Sequence, residues 1–187
     1  MTVLVACEFS GIVRDALLAE GVDAVSCDIS PSERPGPHIQ ADIANIDLSP
    51  FTAILAFPPC TRLCNAGNRW RALYPQQTEA AIRFFLWIAG LPHAHIVIEN
   101  PVGIMSTEYR KPDQIIQPWQ YGHGETKATC LWLKGLPCLV PTDIVEGREP
   151  RIHHMPGGKN QSKNRSRTYP GIAQAMARQW KAYLKED

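Results

Sequence analysis

The sequence has no uninterrupted apolar stretch close to the roughly 18 residues that a membrane-crossing helix needs, so no membrane partner is expected. It has no basic segment leading into an apolar run at its start, so no signal peptide is expected, and the expected location is the cytoplasm. It has no internal repeat, which argues against a solenoid or propeller. It has no surplus of one charge. Its 19 Lys and Arg stand against 18 Asp and Glu, a formal net charge of +1, so net charge alone names no partner. What is present is ordinary for a globular protein: 44% hydrophobic and 20% charged residues over 187 positions, enough for one domain around a single core.

Cysteine is not scarce. There are six, at Cys7, Cys27, Cys60, Cys64, Cys130 and Cys138. A chain of this size needs no disulfide staples, and a cytosolic chain rarely keeps them. Some are therefore expected to be buried hydrophobes, and a reactive one must be picked out by its surroundings. Charge is unevenly spread. Between Arg148 and Lys181 eight basic residues face one acid, Glu149. Such a stretch can meet phosphates or be a solvated surface loop. Arg165 and Arg167 are the candidates for phosphate contact.

Apolar patterning predicts strands over 3–6, 24–28, 53–57, 95–98 and 129–133, the last as one half of a hairpin. Helical periodicity covers 12–18, ending at Gly21, then 78–89 and 172–184. Residues 30–38 hold three prolines and a glycine and predict a loop. Residues 146–168 are polar and predict a mobile loop. Strands alternating with helices predict an α/β fold with a mostly parallel sheet and helices on both faces. In such sheets ligands sit beyond the carboxyl ends of the strands. Glu8, Asp28, Cys60 and Glu99 all fall at those ends.

Phe57-Pro58-Pro59-Cys60 puts a thiol just past a buried strand. The prolines fix the backbone and stop the strand. Cys60 is then either a rigidly held nucleophile, as a thiolate, or a structural cysteine after a proline turn. Glu99-Asn100-Pro101 ends the next strand. A buried carboxyl there can donate a proton; the plainer role is a cap on the turn. Together, a Cys and a Glu on adjacent strand ends could reach one planar ring.

These two motifs resemble the Pro-Cys and Glu-Asn-Val motifs of the DNA cytosine-5 methyltransferases. The resemblance implies a Rossmann-like S-adenosylmethionine-dependent methyltransferase fold and methyl transfer to C5 of cytosine in DNA. It implies that Cys60 adds to C6, that Glu99 holds and protonates N3, that Pro59 positions the Cys and the base, and that Asn100 and Lys127 belong to the catalytic set. The cofactor would be S-adenosylmethionine. Glu8, Phe9, Ser10 and Gly11 stand where the family has its glycine-rich loop, Asp28 and Ile29 at the ribose position, Asp42 and Ile43 near the adenine, and Pro58 beside them. The segment from Tyr121 and Gly122 through Glu125, Lys127 and Thr129 resembles the family's Gln-x-Arg-x-Arg motif. The stretch from Arg167 to Trp180 resembles its closing helix. The expected organisation is one domain over 1–187: a core over 1–135, a reduced recognition loop over 136–168 and a closing helix over 169–187.

The departures are specific. Glu8 and Ser10 replace glycines of the cofactor loop. Lys127 and Thr129 replace two arginines, and lysine is a point charge without the planar fork. Only about thirty residues occupy the place of a large recognition domain, whereas reading a duplex calls for a groove-entering or base-flipping surface. This leaves open a protein partner that supplies recognition, or a pyrimidine in RNA or a free nucleotide as substrate. A nucleic-acid-binding module without activity is a further alternative. Arg69, with Asn65 and Trp70, follows the nucleophile on a loop that could close over the site and meet nucleic acid. A zinc deaminase would need Pro-Cys-x-x-Cys with an upstream His-x-Glu; Cys60 and Cys64 are one residue too far apart, and no such triplet lies upstream. A zinc site from Cys60, Cys64, His123 and Cys130 matches no common spacing, and no metal is expected.

Overall fold

The computed structural model describes residues 2–151 and 161–185, apart from the side chains of Trp70 and Ser162. Seven strands form one sheet: β1 (Thr2–Ala6), β2 (Ala24–Asp28), β3 (His38–Gln40), β4 (Phe51–Ala56), β5 (His95–Pro101), β6 (Gln114–Ile116) and β7 (Thr129–Lys134). The helices are α1 (Ile12–Ala19), α2 (Asn68–Arg71), α3 (Pro75–Ala89), α4 (Met105–Glu108), α5 (Gln161–Ser166) and α6 (Pro170–Lys185). The strand order is β3-β2-β1-β4-β5-β7-β6. Neighbours from β3 to β5 are parallel, and β7 runs antiparallel between β5 and β6.

Both faces of the sheet are covered, which is why its central strands are continuous apolar runs. Val3 and Val5 of β1, Ala53 and Leu55 of β4 and Val97 of β5 face one way, onto Val13 and Leu17 of α1 and Met176 and Trp180 of α6. The alternate residues Leu4, Ala6, Ile54, Ala56, Ile96 and Ile98 face the other way, onto Phe85 and Ile88 of α3. Ala173 and Ala177 of α6 are fully buried. These small side chains let α6 lie close against α1. Trp180 fills the space beyond, its indole N–H donating to the Pro137 carbonyl at 2.9 Å.

The chain runs outward from β1 to β2 and β3, then returns across β1 to β4. The strand order therefore reverses between β1 and β4, and a crevice opens at their carboxyl ends. Four elements differ from expectation. The predicted stop at 98 is passed: β5 continues to Pro101 because β7 pairs with it through Thr129 while β4 ends opposite Ile98. One edge of β5 is then free of a ladder and tolerates a proline. β3 and β6, three residues each, were not expected. The predicted loop over 146–168 contains α5, so it is not wholly irregular; 152–160 lie outside the described residues.

Candidate active site

The loop after β1 turns sharply. Cys7 takes a left-handed backbone, with φ of 58°, a strained conformation for a residue with a side chain. Glu8 then folds its carboxyl under the start of α1. Its Oε1 accepts from the Ile12 N–H at 2.8 Å and from the Ser10 hydroxyl. It occupies the positive end of the helix. Its other oxygen, Oε2, is buried without a partner among the described residues, and burial raises the carboxyl above its usual range. Burial raises the Cys7 thiol to about 12, with Asp28 adding to the effect. Asp28, the last residue of β2, accepts from the Ser30 N–H at 2.8 Å.

The turn after β4 holds the thiols. Phe57 still pairs with β1 through its N–H to the Ala6 carbonyl at 2.9 Å, and Asn100 of β5 donates to the Pro58 carbonyl at 2.9 Å. Cys60 thus leaves the sheet in a fixed direction. Its carbonyl accepts from the Leu63 and Cys64 N–H groups, both at 2.9 Å, which closes one helical turn. The Arg71 guanidinium donates to the carbonyls of Leu63 and Cys64 at 2.9 Å each and of Arg62 at 3.2 Å. Gly67 seals the turn, since a side chain there would sit 2.2 Å from the Thr61 carbonyl oxygen. The two thiols, four residues apart, line the same cavity and act on each other's protonation. Hydrogen bonding from Cys60 lowers Cys64 to about 6, with the N–H groups of Gly67 and Ala66 and the charge of Arg165 acting the same way. Cys60 is pushed up, by holding that hydrogen bond and by burial.

Glu99 faces this turn from inside β5, opposite Leu131 of β7. Its carboxyl is enclosed, and burial raises it above its usual range, with the Lys127 ammonium pulling the other way. Glu99 and Lys127 both act on the Cys60 thiol, so the three groups share one electrostatic neighbourhood. Lys127 is held by the Arg165 carbonyl at 3.0 Å and lies 5.9 Å from the Tyr169 ring centre.

α5 crosses above the crevice as a strap. Its last turn takes the Lys127 ammonium on the Arg165 carbonyl. Just beyond, Arg167 clasps Glu33 through two bonds of 2.8 Å, and Lys163 of the same helix joins at 3.0 Å. Both cations lie over the Phe9 ring, at 4.8 Å for Lys163 and 5.9 Å for Arg167. These partners lower Glu33 to about 2. Under the strap lies a cavity of about 670 Å³, reaching from Glu8 and Asp28 to Cys60, Cys64 and Lys127. This is a volume typical of cofactor sites.

Of the residues the sequence singles out, Glu8, Phe9, Ser10, Asp28, Pro59, Cys60, Arg69, Lys127 and Arg165 line this cavity. Glu99, Asn100 and Pro58 support it from behind. Ile29 is 73% exposed just beyond Asp28. Four others have different employment. Gly11 is explained by Arg14: its φ is 72°, and a side chain would meet that guanidinium at 2.5 Å. Ile43 is a core residue. Asp42 is exposed and caps the turn Ile43–Asn45 through the Ala44 N–H. Arg167 is committed to Glu33. A His-x-Glu triplet does occur, at His123 to Glu125, downstream of the Pro-Cys pair. His123 accepts from the Gly171 N–H and Glu125 accepts from the Tyr169 hydroxyl, while Cys130 lies in the core. The zinc alternatives are therefore not assembled from these residues.

Three residues were missed. Arg14 is fully buried in α1 and donates to the carbonyls of Arg34, Pro35 and Pro37 and to Ser26 and Ser32. Arg71 organises the nucleophile turn, and Glu33 anchors the strap. Each acts on residues distant in sequence, and only an isolated basic or acidic letter marks it.

No protein-family model and no curated relative matches this chain. Solved structures do. An Escherichia coli prophage-encoded protein assigned as a DNA modification methyltransferase superposes with a TM-score of 0.51 at 15% identity, over 78% of this chain and 52% of that one. The methyltransferase EhMeth of Entamoeba histolytica superposes with a TM-score of 0.52 at 13% identity, over 78% of this chain and 57% of that one. The chain thus spans little more than half the length of either. At these identities the likeness concerns the fold, which is Rossmann-like and of the methyltransferase type.

Proposed function

We propose that this chain is an S-adenosylmethionine-dependent methyltransferase acting at C5 of cytosine in DNA, with Cys60 as nucleophile. The observation that carries the reading is the meeting of Cys60 and Lys127, with Glu99 acting on the thiol from behind, in a cavity that also takes in Glu8 and Asp28. The residues fit the cofactor. The unpartnered Oε2 of Glu8 suits its ammonium group, Asp28 suits ribose hydroxyls, and exposed Ile29 suits an adenine face. When bound, S-adenosylmethionine supplies an electrophilic methyl group to a carbon nucleophile.

The chain's own residues create that nucleophile. The Cys60 thiolate adds to C6 of the ring, and the displaced electron pair moves through the ring toward N3. Glu99, whose hold on a proton burial strengthens, donates a proton there. C5 then has enamine character; once it carries the methyl group, its own hydrogen leaves as a proton to water, the C6–S bond breaks with Cys60 departing as thiolate, and N3 returns its proton to Glu99. Lys127, beside Glu99, offsets the negative charge left on the carboxylate. Pro58 and Pro59, tied to Asn100, keep the thiol aligned. Arg69 and Arg165 would meet the backbone phosphates, and residues 136–168 form a reduced recognition segment that a partner protein would complement.

The test is expression of wild type and Cys60→Ala in a host lacking cytosine methylation, with mass spectrometry of nucleosides from DNA and RNA. 5-Methylcytosine in DNA with wild type alone is expected. Its appearance in RNA alone would move the substrate to RNA. No modified base in either pool would overturn the reading.

A further inference from the structure

We propose that Lys163 and Arg167 form a seat for backbone phosphates of DNA, and that Glu33 fills this seat in the free chain as an internal stand-in for a phosphate. The inference rests on the reading of DNA as the substrate and adds how the strap engages the strand. Lys163 and Arg167 lie four residues apart, so a helical turn brings both heads to one side. Arg167 presents its Nε and Nη2 edge to the two carboxylate oxygens of Glu33, at 2.8 Å each. A guanidinium edge meets two oxygens of a phosphate diester in the same parallel fashion. The fork is held in that orientation. Its Nη1 donates to the Asn164 side chain at 2.5 Å, and both cations lie over the Phe9 ring. The pair is thus an oxyanion site with an oxyanion already in it.

The stand-in is rigidly supplied and loosely held. The Glu33 N–H donates to the Phe9 carbonyl at 2.8 Å, and buried Arg14 donates to the carbonyls of Arg34, Pro35 and Pro37 that follow. The carboxylate is therefore delivered from a fixed loop. Its hold on the cations is modest, because all three side chains reach water: Glu33 is 28% exposed, Arg167 34% and Lys163 44%. Ion pairs this open contribute little. They are also unbalanced. Lys163 and Arg167 share the Oε1 of Glu33, so two positive charges face one negative. DNA carries a row of phosphates and gains from releasing its condensed counterions, so it can give each cation a partner of its own. A lone anion brings no such row and leaves Glu33 in place. The bond from Lys127 to the Arg165 carbonyl, at 3.0 Å, does not involve Glu33. The strap therefore exchanges one fastening and keeps the other over the cavity.

The test is fluorescence anisotropy of a labelled mixed-sequence DNA duplex at one fixed salt concentration, which reads binding without methylation. Glu33→Gln keeps the size of the side chain and frees both cations. Its Kd is expected to be about fivefold lower than that of wild type, the scale on which an exposed pair biases a two-state equilibrium. Lys163→Ala/Arg167→Ala should bind more weakly than wild type. Adding Glu33→Gln to that double variant should change its Kd by less than about twofold, since the groups that Glu33 acts through are gone. An unchanged or higher Kd in Glu33→Gln overturns the proposal. So does a gain of equal size in the double variant, which would mark a general loss of negative charge. Inorganic phosphate should displace the duplex from wild type no better than chloride at equal ionic strength; stronger displacement would give the seat to a single anion and overturn DNA as its occupant. A gain seen with duplex RNA of the same sequence and not with DNA would overturn it as well. A Glu33→Gln gain without 5-methylcytosine in the expression assay would leave the seat standing and overturn the proposed function. 5-Methylcytosine without such a gain would do the opposite.

Discussion

The crevice has two sides that handle charge in opposite ways. Around β1 and β2, most charged groups are matched within the chain, the Oε2 of Glu8 apart. Glu8 closes α1, Arg14 is saturated by carbonyls and hydroxyls, and Glu33 takes two cations. Around β4 and β5, ionisable groups face one another with little compensation: two thiols, an enclosed carboxyl and an ammonium. The first side spends its polar groups on shape. Both sides perturb protonation, but only the second sets a proton donor and a nucleophile against one another, as proton-transfer chemistry needs. Perturbing the first should cost stability, and perturbing the second should cost rate.

The largest expected effect is on the second side. Cys60→Ala should abolish both product and covalent trapping while leaving the thermal midpoint within a few degrees; a variant that still traps DNA would break the contrast. Glu99→Gln keeps the shape and removes the proton donor. It should lower turnover by about 10²–10⁴-fold with cofactor affinity little changed by calorimetry. In wild type, rate should fall as pH climbs past the raised Glu99 value, because the acid form is the one used. On the first side, Arg14→Ala should cost about 3–5 kcal/mol in denaturant unfolding, the scale for breaking a buried ion pair, since it strands three carbonyls and the Asp15 carboxylate. The smallest effect belongs to Glu33→Gln. Glu33 lies near 2 in the folded chain against an ordinary 4.5. Its contribution is therefore present above about pH 4.5 and lost as pH falls toward 2. The difference in thermal midpoint between wild type and Glu33→Gln should shrink over that window and vanish below it.

The central sheet was legible because its strands are buried on both faces. The runs at 3–6, 24–28, 53–57 and 95–98 announce themselves, and the periodicity of 172–184 marks α6. β3 and β6 were illegible because each holds three residues at the margins of the sheet, where exposed Ile115 carries no alternation. The motif at Cys60 and the acid at Glu99 were legible as residues, but their protonation was not. That depends on Cys64, on Lys127 and on a strap drawn from another part of the chain. Gly11 shows the limit from the other direction. A glycine in a cofactor loop reads as room for a ligand, and here it is room for Arg14.

The strap has a further consequence. It is fastened on one side by Glu33, next to the β1 loop, and on the other by Lys127, next to the thiols. Whichever of the cofactor and the target base first settles beneath it would meet the entropic cost of holding it down, and the second would be spared that cost. Occupants at opposite ends of the cavity would then bind cooperatively without touching, each tightening its neighbour's hold by the same factor.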